Sequence, residues 1–328
     1  MSVFPVSAST LSEKELGQFV IENYNLDSSY TCKLYRTGLN HTYFISNGIH
    51  KYVARVYCHN WRTKAEILEE LELLLALKEN EISVSYPIKN KNQDFMQELS
   101  APEGKRYLVL FSFAKGDKVR FMTHENCARV GEIMAGIHNL SEFKFANRVQ
   151  YSPDVLAQKP YAKLKIFFSE DLEEMIFLKR TGLQIGEALS FKDSDRGKSG
   201  IVHLDIWYDN FSIDQENEIT IFDFDNCGTG RFILDVGYFC KQLFFIEQDK
   251  NLYEDKVRSF IEGYRKKRPL AANELELIPE AGAAIFIFYL GIQAQRFDWS
   301  NIFFTENYLK MYTARIQSWL SYYNKVKH

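Results

Sequence analysis

The sequence predicts an α+β fold in two parts: a small N-terminal part built on a mainly antiparallel sheet and a larger, mostly helical C-terminal part. Short runs rich in Tyr, Val and Ile, separated by turn residues, dominate the first third of the chain. After Phe113 the apolar residues recur three and four positions apart, which is typical of helices. With 328 residues, the chain is long enough for each part to bury its own core.

The N-terminal part, residues 1–113, is expected to begin with a helix over 10–22. Ser12 and Glu15 occupy the positions of a reciprocal cap at the start of that helix. Turn residues around Gly38 and Gly48 separate the first three strands as hairpins. The apolar stripe of a second helix covers 63–79. The predicted strands span 30–34, 43–46, 52–57, 93–99 and 106–113.

The C-terminal part, residues 114–328, follows a connector near 112–116 and carries helical patterns interrupted by two short apolar strands. The sequence contains neither an internal repeat nor a low-complexity linker. The helices are predicted over 124–140, 159–189, 235–248, 253–266, 279–299 and 307–326. The strands are predicted over 200–202 and 219–222.

Composition excludes several classes of function. A net charge of -3, with no basic run longer than 265–268, argues against a nucleic-acid-binding protein. The five cysteines are scattered and form no Cys-x-x-Cys pair, so neither a zinc site nor a disulfide framework is expected. The N-terminus lacks a signal-peptide pattern, and the most apolar stretch, 281–291, is too short to span a bilayer. We therefore expect a cytoplasmic protein with no membrane partner.

A compact polar motif lies in the C-terminal part, where His203, Asp205 and Asn210 follow a predicted strand. Asp205 precedes Asn210 by five positions, the interval of a kinase catalytic loop. A hairpin comes next, and its return strand, 219–222, brings Asp223 back beside the loop. The motif therefore places two carboxylates and an amide close together.

These residue types suit phosphoryl transfer, which needs a carboxylate near the accepting hydroxyl and oxygen ligands for Mg²⁺. Asp205 would orient the hydroxyl and take its proton late in the transfer. Asn210 and Asp223 would hold the metal ion. The alternatives are a chance spacing and simple turn chemistry for the run 223–225. A metal-ligand role for His203 is also conceivable, but a structural histidine whose ring bonds to the loop is the preferred interpretation.

At these residues the chain resembles the aminoglycoside phosphotransferase and choline kinase superfamily, whose loop reads His-Gly-Asp-x4-Asn and is followed by Asp-x-Asp. The resemblance extends roughly from Arg36 to Trp319 and implies a bilobal, protein-kinase-like fold. Within the superfamily, two stretches are most similar to the stress response kinase and homoserine kinase type: 66–70 leading to 84–87, and 288–291 through 295–297. In the turn that follows the motif, Asp235 is expected to cap a helix.

The resemblance implies ATP and Mg²⁺ as cofactors, and it implies a role for each matching residue. Asp205 is implied as the catalytic base, Asn210 and Asp223 as magnesium ligands, and Asp225 as a further ligand. The implied nucleotide-binding residues are Gly38 and Asn40 in the phosphate-covering turn, Phe111 and Phe113 at the strand whose backbone pairs with adenine, and Arg55 with its ion-pair partner Glu70.

Three departures from the family pattern stand out. Arg55 occupies the position of the family's phosphate-binding lysine; it keeps the charge but not the geometry, and an exposed surface arginine is the alternative. Leu204 replaces the glycine of the loop. Tyr208 and Asp209 replace a flexible pair before Asn210 and bear on substrate access.

The phosphate acceptor is predicted to be a small hydroxylated molecule. The acidic run 169–174 fits a solvated helix face better than a pocket for a polycationic antibiotic. Tyr289, Arg296, Phe297 and Trp299 are candidates for the acceptor side, with a core role as the alternative. Two other functions remain open. One is a protein Ser/Thr kinase of the stress-response type. The other is a weakly active nucleotide-binding regulator, which Arg55 leaves open and which the intact Asp205, Asn210 and Asp223 argue against.

Overall fold

The computed structural model describes residues 4–140, 144–190, 198–296 and 303–326. Contacts divide the chain into two compact units, Met1–Lys115 and Gly116–His328. This division falls inside the connector predicted near 112–116.

The first unit is a five-stranded antiparallel sheet with the strand order β1-β2-β3-β5-β4. Alternate residues of β2, including Tyr43 and Ile45, point into the core, where they pack with Leu16 and Val20 of the first helix. The predicted antiparallel sheet is therefore confirmed. Its elements are α1 (Glu13–Asn23), β1 (Thr31–Arg36), β2 (Asn40–Ser46), β3 (Lys51–Tyr57), α2 (Lys64–Glu79), β4 (Met96–Ala101) and β5 (Gly104–Ser112).

The two helices of this unit start differently, although both carry the same capping pattern. Thr63 and Glu66 form the full reciprocal cap of α2: the Glu66 N–H donates to the Thr63 hydroxyl oxygen, and the Thr63 N–H donates to the Glu66 carboxylate. Ser12, in contrast, accepts no hydrogen bond from α1, so its predicted cap is wrong. Its hydroxyl donates to the Glu15 carboxylate, and this bond between side chains replaces the bonds to the backbone.

The second unit is mostly helical, as predicted. Helices α3 and α7 approach closely because Gly131 and Gly263 face the opposite backbone; a Cβ atom on Gly131 would lie 2.2 Å from the Phe260 carbonyl oxygen. The helices are α3 (His124–His138), α4 (Lys159–Leu164), α5 (Glu173–Leu189), α6 (Ile233–Ile246), α7 (Lys250–Arg265), α8 (Ala272–Leu275), α9 (Ile278–Gln295) and α10 (Glu306–Val326).

The single helix predicted over 159–189 is wrong, because the chain turns between α4 and α5. The N–H groups of Phe167 and Phe168 both donate to the Leu164 carbonyl, which closes α4. The Ser169 hydroxyl then accepts from the Asp171 N–H, a local bond that competes with helix continuation. The helix predicted over 279–299 ends at Gln295 in the described residues.

Four short strands in the second unit position the polar motif. Strand β6 (Ser199–Val202) pairs with β9 (Gly228–Arg231), and β7 (Phe211–Ile213) pairs with β8 (Ile219–Ile221). The motif thus lies in two loops whose ends are fixed by antiparallel pairing: one between β6 and β7, the other between β8 and β9.

One helical stretch among the described residues, Ala272–Gln295, is long and apolar enough to cross a membrane by length and composition. The expectation that the apolar stretch is too short to do so is therefore wrong. Of its most apolar window of 18 residues, 61% is buried inside the protein, as in the core helix of a folded domain.

We expect the Thr63→Ala substitution to lower the free energy of unfolding by about 1 kcal/mol, because it removes a working helix cap. Ser12→Ala is the matched control, since its hydroxyl caps nothing, and it should change stability by less than about 0.5 kcal/mol. Both helices belong to the first unit, so urea denaturation followed by circular dichroism reports on the same transition for both variants. Equal losses in the two would contradict this difference between the helix starts.

Candidate active site

The loop between β6 and β7 is held by a buried carboxylate. The backbone N–H groups of His203 and Leu204 donate to the two oxygens of Asp235, at 2.8 Å and 2.6 Å. Asp235 lies in the first turn of α6 and is 1% exposed. Its predicted role as a helix cap is wrong, because Phe232 occupies the cap position of α6 without a capping side chain. Asp235 instead fixes the start of the loop.

A buried histidine completes the environment of Asp235. His138 Nε2 lies 3.0 Å from the carboxylate, and His138 Nδ1 lies 2.8 Å from the Tyr264 hydroxyl. Burial lowers the pKa of His138, although Asp235 opposes the shift. The ring is therefore neutral, with Nε2–H donating to Asp235 and Nδ1 accepting from Tyr264. Three N–H donors thus satisfy a carboxylate that is cut off from water.

His203 supports the loop with its ring, as predicted. The Asp205 N–H donates to His203 Nδ1 at 3.1 Å, so Nε2 carries the proton and donates to the Phe222 carbonyl at 3.3 Å. Burial lowers the pKa of His203, in agreement with this neutral form. The ring therefore links the loop to the end of β8.

Leu204 adopts a left-handed backbone conformation with φ of 63°. The family that the sequence resembles has glycine at this position, and the conformation explains that preference, because a side chain in left-handed backbone costs roughly 1–2 kcal/mol. Two features compensate in this chain. The Leu204 side chain is fully buried, and its carbonyl accepts a hydrogen bond from the Tyr289 hydroxyl at 3.1 Å.

Asp205 and Asn210 form one hydrogen-bonded pair. Asn210 Nδ2 donates to the Asp205 carboxylate at 2.7 Å and to the Asp205 carbonyl at 3.0 Å. Because the amide nitrogen faces Asp205, the amide oxygen is turned away and is available to a cation. The structure thus brings the predicted base and the first predicted magnesium ligand together.

Two tyrosines that contact Asp205 shape its chemistry. The Tyr238 hydroxyl donates to Asp205 Oδ1, and Gln242 Nε2 donates to the same hydroxyl at 2.8 Å. Burial raises the pKa of Asp205 to about 7; the Tyr238 hydrogen bond opposes the shift, and the negative charge of Asp223 adds to it. A carboxyl group with a pKa near neutrality is suited to accept a proton. The hydroxyl of Tyr289, a candidate for the acceptor side, also lowers the pKa of Asp205.

The sequence patterns did not identify Tyr238, although its helical spacing from Asp235 could have done so. It follows Asp235 by three positions, and Gln242 follows by seven, so the three share one face of α6. Once Asp235 is known to face the loop, that whole face must do so. Of the other acceptor-side candidates, Arg296 is the C-terminal cap of α9, while 297 and 299 lie outside the described residues.

Asp223 returns to the loop through β8, as predicted. The Phe222 N–H donates to the Asn210 carbonyl at 2.9 Å, and Asp223 follows with φ of 66°. The negative charge of Asp223 raises the pKa of both Asp205 and His203.

Asp225 is buried in a short 3₁₀ turn, Phe224–Asn226, which the sequence analysis did not anticipate. The buried guanidinium of Arg148 fixes this turn by donating to the carbonyls of Asp225 and Cys227, the latter at 2.8 Å. Arg148 lies outside every sequence motif, and we find no local pattern that would have identified it.

The residues of this loop pair fit a magnesium ion. Mg²⁺ is bound by one or two protein oxygens together with water and phosphate oxygens, so it does not need a closed protein cage. The Asn210 amide and the Asp223 carboxylate supply such oxygens. The described part of the chain contains no group of three or more His, Cys, Asp or Glu side chains placed to hold a metal ion.

In the first unit, Arg55 and Glu70 form the predicted ion pair. Arg55 Nη1 lies 2.7 Å from Glu70 Oε1, and the Tyr57 hydroxyl donates to the other carboxylate oxygen at 3.1 Å. Glu70 is fully buried, and Arg55 is 9% exposed. Arg55 is therefore not the surface arginine of the alternative interpretation. Its guanidinium carbon also lies 4.9 Å from the ring centroid of Phe111.

The remaining predicted nucleotide residues are spread over the same sheet. Gly38 lies in the turn between β1 and β2, where its carbonyl accepts from the Cys58 thiol at 3.5 Å. Asn40 begins β2, and its side-chain oxygen is enclosed without a hydrogen-bond partner among the described residues. An enclosed acceptor without a partner is unusual.

The two residues predicted to pair with adenine, Phe111 and Phe113, differ in their backbone environment at the end of β5. Neighbouring residues Leu110 and Ser112 direct their backbone bonds to the segment 86–88, so the backbone of Phe111 faces Val53 within the sheet. Phe113 follows the last strand residue, and no hydrogen bond involves its backbone among the described residues. Of the two, only Phe113 has a backbone outside the sheet ladder.

Comparison with known proteins gives a consistent result. The sequence profile of the phosphotransferase enzyme family matches residues 31–270. Homoserine kinase of Methylobacillus flagellatus is 23% identical over 84% of this chain and 81% of its own length. The structure is similar to that of an amicoumacin kinase in complex with AMP-PNP and Ca²⁺ (TM-score 0.77, 18% identity, 94% of both chains). It is also similar to a microcompartment-associated aminopropanol kinase (TM-score 0.74, 21% identity, 92% of this chain and 95% of that one).

We expect Asp235→Asn to lower the free energy of unfolding of the second unit by about 2 to 4 kcal/mol. The amide has one accepting oxygen, so its NH₂ group would face a buried N–H donor and leave it unsatisfied. Asp249→Asn is the matched control, because Asp249 caps α7 through one oxygen and Asn caps equally well. Urea denaturation measures both variants. A loss within about 0.5 kcal/mol for Asp235→Asn would contradict the proposed hold on the loop.

Proposed function

Because the chain belongs to the phosphotransferase enzyme family, we propose that it transfers the γ-phosphate of ATP to a hydroxyl group of a small molecule, with Asp205 as the base and Mg²⁺ held by Asn210 and Asp223. As a member of this family it is an ATP-using kinase that phosphorylates small-molecule hydroxyls. The observation that carries the finer assignment is the hydrogen-bonded pair of Asp205 and Asn210.

In this proposal Asp205 binds the acceptor through a hydrogen bond from the acceptor hydroxyl. As the hydroxyl oxygen bonds to phosphorus and the bond to the ADP oxygen breaks, the hydroxyl proton passes to the Asp205 carboxylate. The Tyr238 hydrogen bond orients the carboxylate and limits how far burial raises its pKa. When bound, the magnesium ion would neutralise charge on the phosphate oxygens.

Asn210 has two tasks in this arrangement. Its NH₂ group holds Asp205 in place, and its amide oxygen is presented to the metal ion. One side chain would therefore hold the base and also help to hold the metal ion. Asp223 would supply the negatively charged ligand, and Asp225 a further oxygen from the same turn.

Arg55 is proposed to bind the nucleotide phosphates in place of the family's lysine. The Glu70 carboxylate and the Phe111 ring orient its planar guanidinium, which can form two parallel hydrogen bonds to a phosphate. Gly38, Asn40 and the backbone of Phe113 are proposed as further nucleotide contacts in the first unit.

The acceptor is proposed to be a small hydroxylated metabolite. The similar proteins include kinases named for homoserine and for aminopropanol, both small amino alcohols, and one named for the antibiotic amicoumacin. The acidic run 169–174 gives no support to a polycationic acceptor, because Glu170 is already paired with Lys165 at 2.7 Å.

We expect Asp205→Asn to reduce kcat by about 10²- to 10⁴-fold, because the amide cannot accept the hydroxyl proton. The affinity for Mg-ATP should stay within about threefold of the wild-type value, a small change on the free-energy scale. ADP release across a panel of hydroxylated metabolites measures the rate, and fluorescence titration with a nucleotide analogue measures the affinity.

Asp255→Asn, which changes an exposed carboxylate on α7, is the matched control and should behave as wild type. Transfer at the wild-type rate by Asp205→Asn would remove Asp205 as the base.

The role of Arg55 is best tested with its ion-pair partner neutralised as well. Loss of Arg55 alone would leave a buried, uncompensated Glu70 and destabilise the fold. The double variant Arg55→Met with Glu70→Gln avoids this problem, and we expect its KM for ATP to rise about tenfold or more through the loss of a charged phosphate contact. Initial-rate kinetics with thermal denaturation as a check on folding give the result. A folded double variant with an unchanged KM would make the pair purely structural.

A further inference from the structure

A lysine next to the proposed base has no use in the mechanism above. Lys241 lies on α6 three positions after Tyr238 and is 5% exposed. Its ammonium nitrogen lies 4.4 Å from the ring centroid of Tyr238 and 4.3 Å from that of Phe286. Among the described residues, it has no hydrogen bond and no ion pair within 4 Å.

The electrostatics around Lys241 are unbalanced. Burial lowers the pKa of Lys241 to about 7; the negative charge of Asp205 opposes this shift, and the positive charge of Arg315 on α10 adds to it. Among the residues that the structure describes, Asp205 is the one anion whose charge acts on Lys241. Its carboxylate is already engaged by Tyr238 and Asn210. A buried cation without a hydrogen-bonded anion is unfavourable, so an arriving anionic group gains by pairing with it.

The ammonium group of Lys241 lies on the far side of the Tyr238 ring from Asp205, because the Tyr238 hydroxyl bonds to the carboxylate and its ring face packs against the ammonium. Among the described residues, aromatic rings are the only groups within contact of this ammonium, and they cannot neutralise its charge.

We propose that Lys241 binds an anionic group of the acceptor, so that the substrate class is a small hydroxy acid whose carboxylate lies at Lys241 while its hydroxyl lies at Asp205. Gln242, which bonds to the Tyr238 hydroxyl, keeps the ring that separates the two subsites in position. The exposed Arg315 adds positive charge on the same side. This assignment rests on the proposed function, since it assumes that Asp205 receives the hydroxyl.

The test compares hydroxy acids with their uncharged amides as acceptors: L-homoserine and 4-hydroxybutyrate against L-homoserinamide and 4-hydroxybutyramide. For the wild-type chain we expect kcat/KM to favour the acids by roughly 10- to 100-fold, the range for a charge-assisted hydrogen bond. In Lys241→Met, which keeps the length and packing of the side chain, this preference should vanish through a higher KM for the acids. The KM for ATP and the kinetics with the amides should stay within about threefold.

A binding measurement keeps the proposal testable without turnover. Millimolar 4-hydroxybutyrate should raise the Tm of the wild-type chain and leave that of Lys241→Met unchanged. Without ligand, Lys241→Met should be at least as stable as wild type, because it removes a buried unpaired cation. A marked loss of stability in Lys241→Met would make the lysine a structural cation held by its two rings and overturn the proposal.

The two failures are distinguishable. Equal use of acids and amides by the wild-type chain, or an equal loss for both acceptor classes in Lys241→Met, overturns the acceptor assignment and leaves the kinase function standing. ATP turnover that no acceptor stimulates, and that Asp205→Asn does not change, overturns the proposed function. In that case, a shift in Tm caused by 4-hydroxybutyrate would report on anion binding at Lys241 and not on phosphoryl transfer.

Discussion

The arrangement of the active-site loop depends on the buried carboxylate of Asp235. It accepts two consecutive backbone N–H groups, those of His203 and Leu204, from a segment 32 and 31 residues earlier in the chain. These bonds stabilise the left-handed conformation of Leu204, which turns the chain so that Asp205 and Asn210 face each other. Because α6 carries both Asp235 and Tyr238, the same helix that holds the loop also orients the proposed base. A single rigid element therefore sets the position and the chemistry of Asp205.

The charges around the loop support the proposed magnesium site. Both nearby histidines are neutral, since burial lowers the pKa of His138 and of His203. Neither ring can balance the carboxylates of Asp205 and Asp223, whose mutual repulsion contributes to the raised pKa of Asp205. A divalent cation at Asn210 and Asp223 would relieve that repulsion. On the other side of Tyr238, the positive charge of Lys241 needs an anion, so the two sides of the base favour ligands of opposite charge.

The sequence predicts best what depends on local pattern. The strands around Tyr43 and Arg55, the hairpin that returns Asp223 and the supporting role of His203 all follow from short-range periodicity and spacing. Asp235 was misassigned, because an aspartate at a helix start satisfies the local rule for a cap whether or not a distant loop uses it.

Arg148 and Lys241 were missed for a related reason. Their partners lie far away in the chain or on neighbouring helices, so tertiary packing alone reveals them. The break between α4 and α5 shows the same limit within one segment, where a side chain of Ser169 outcompetes helix continuation.

The most direct test of the central claim is the rate of phosphoryl transfer in Asp235→Asn, measured at a temperature at which the variant remains folded. The carboxylate of Asp235 touches neither the proposed metal ligands nor Asp205, so it can affect turnover only through the loop. We predict that kcat falls at least tenfold while the affinity for the nucleotide analogue stays within about threefold of the wild-type value. A folded Asp235→Asn variant that transfers phosphate at the wild-type rate would contradict the claim that this carboxylate positions the catalytic loop.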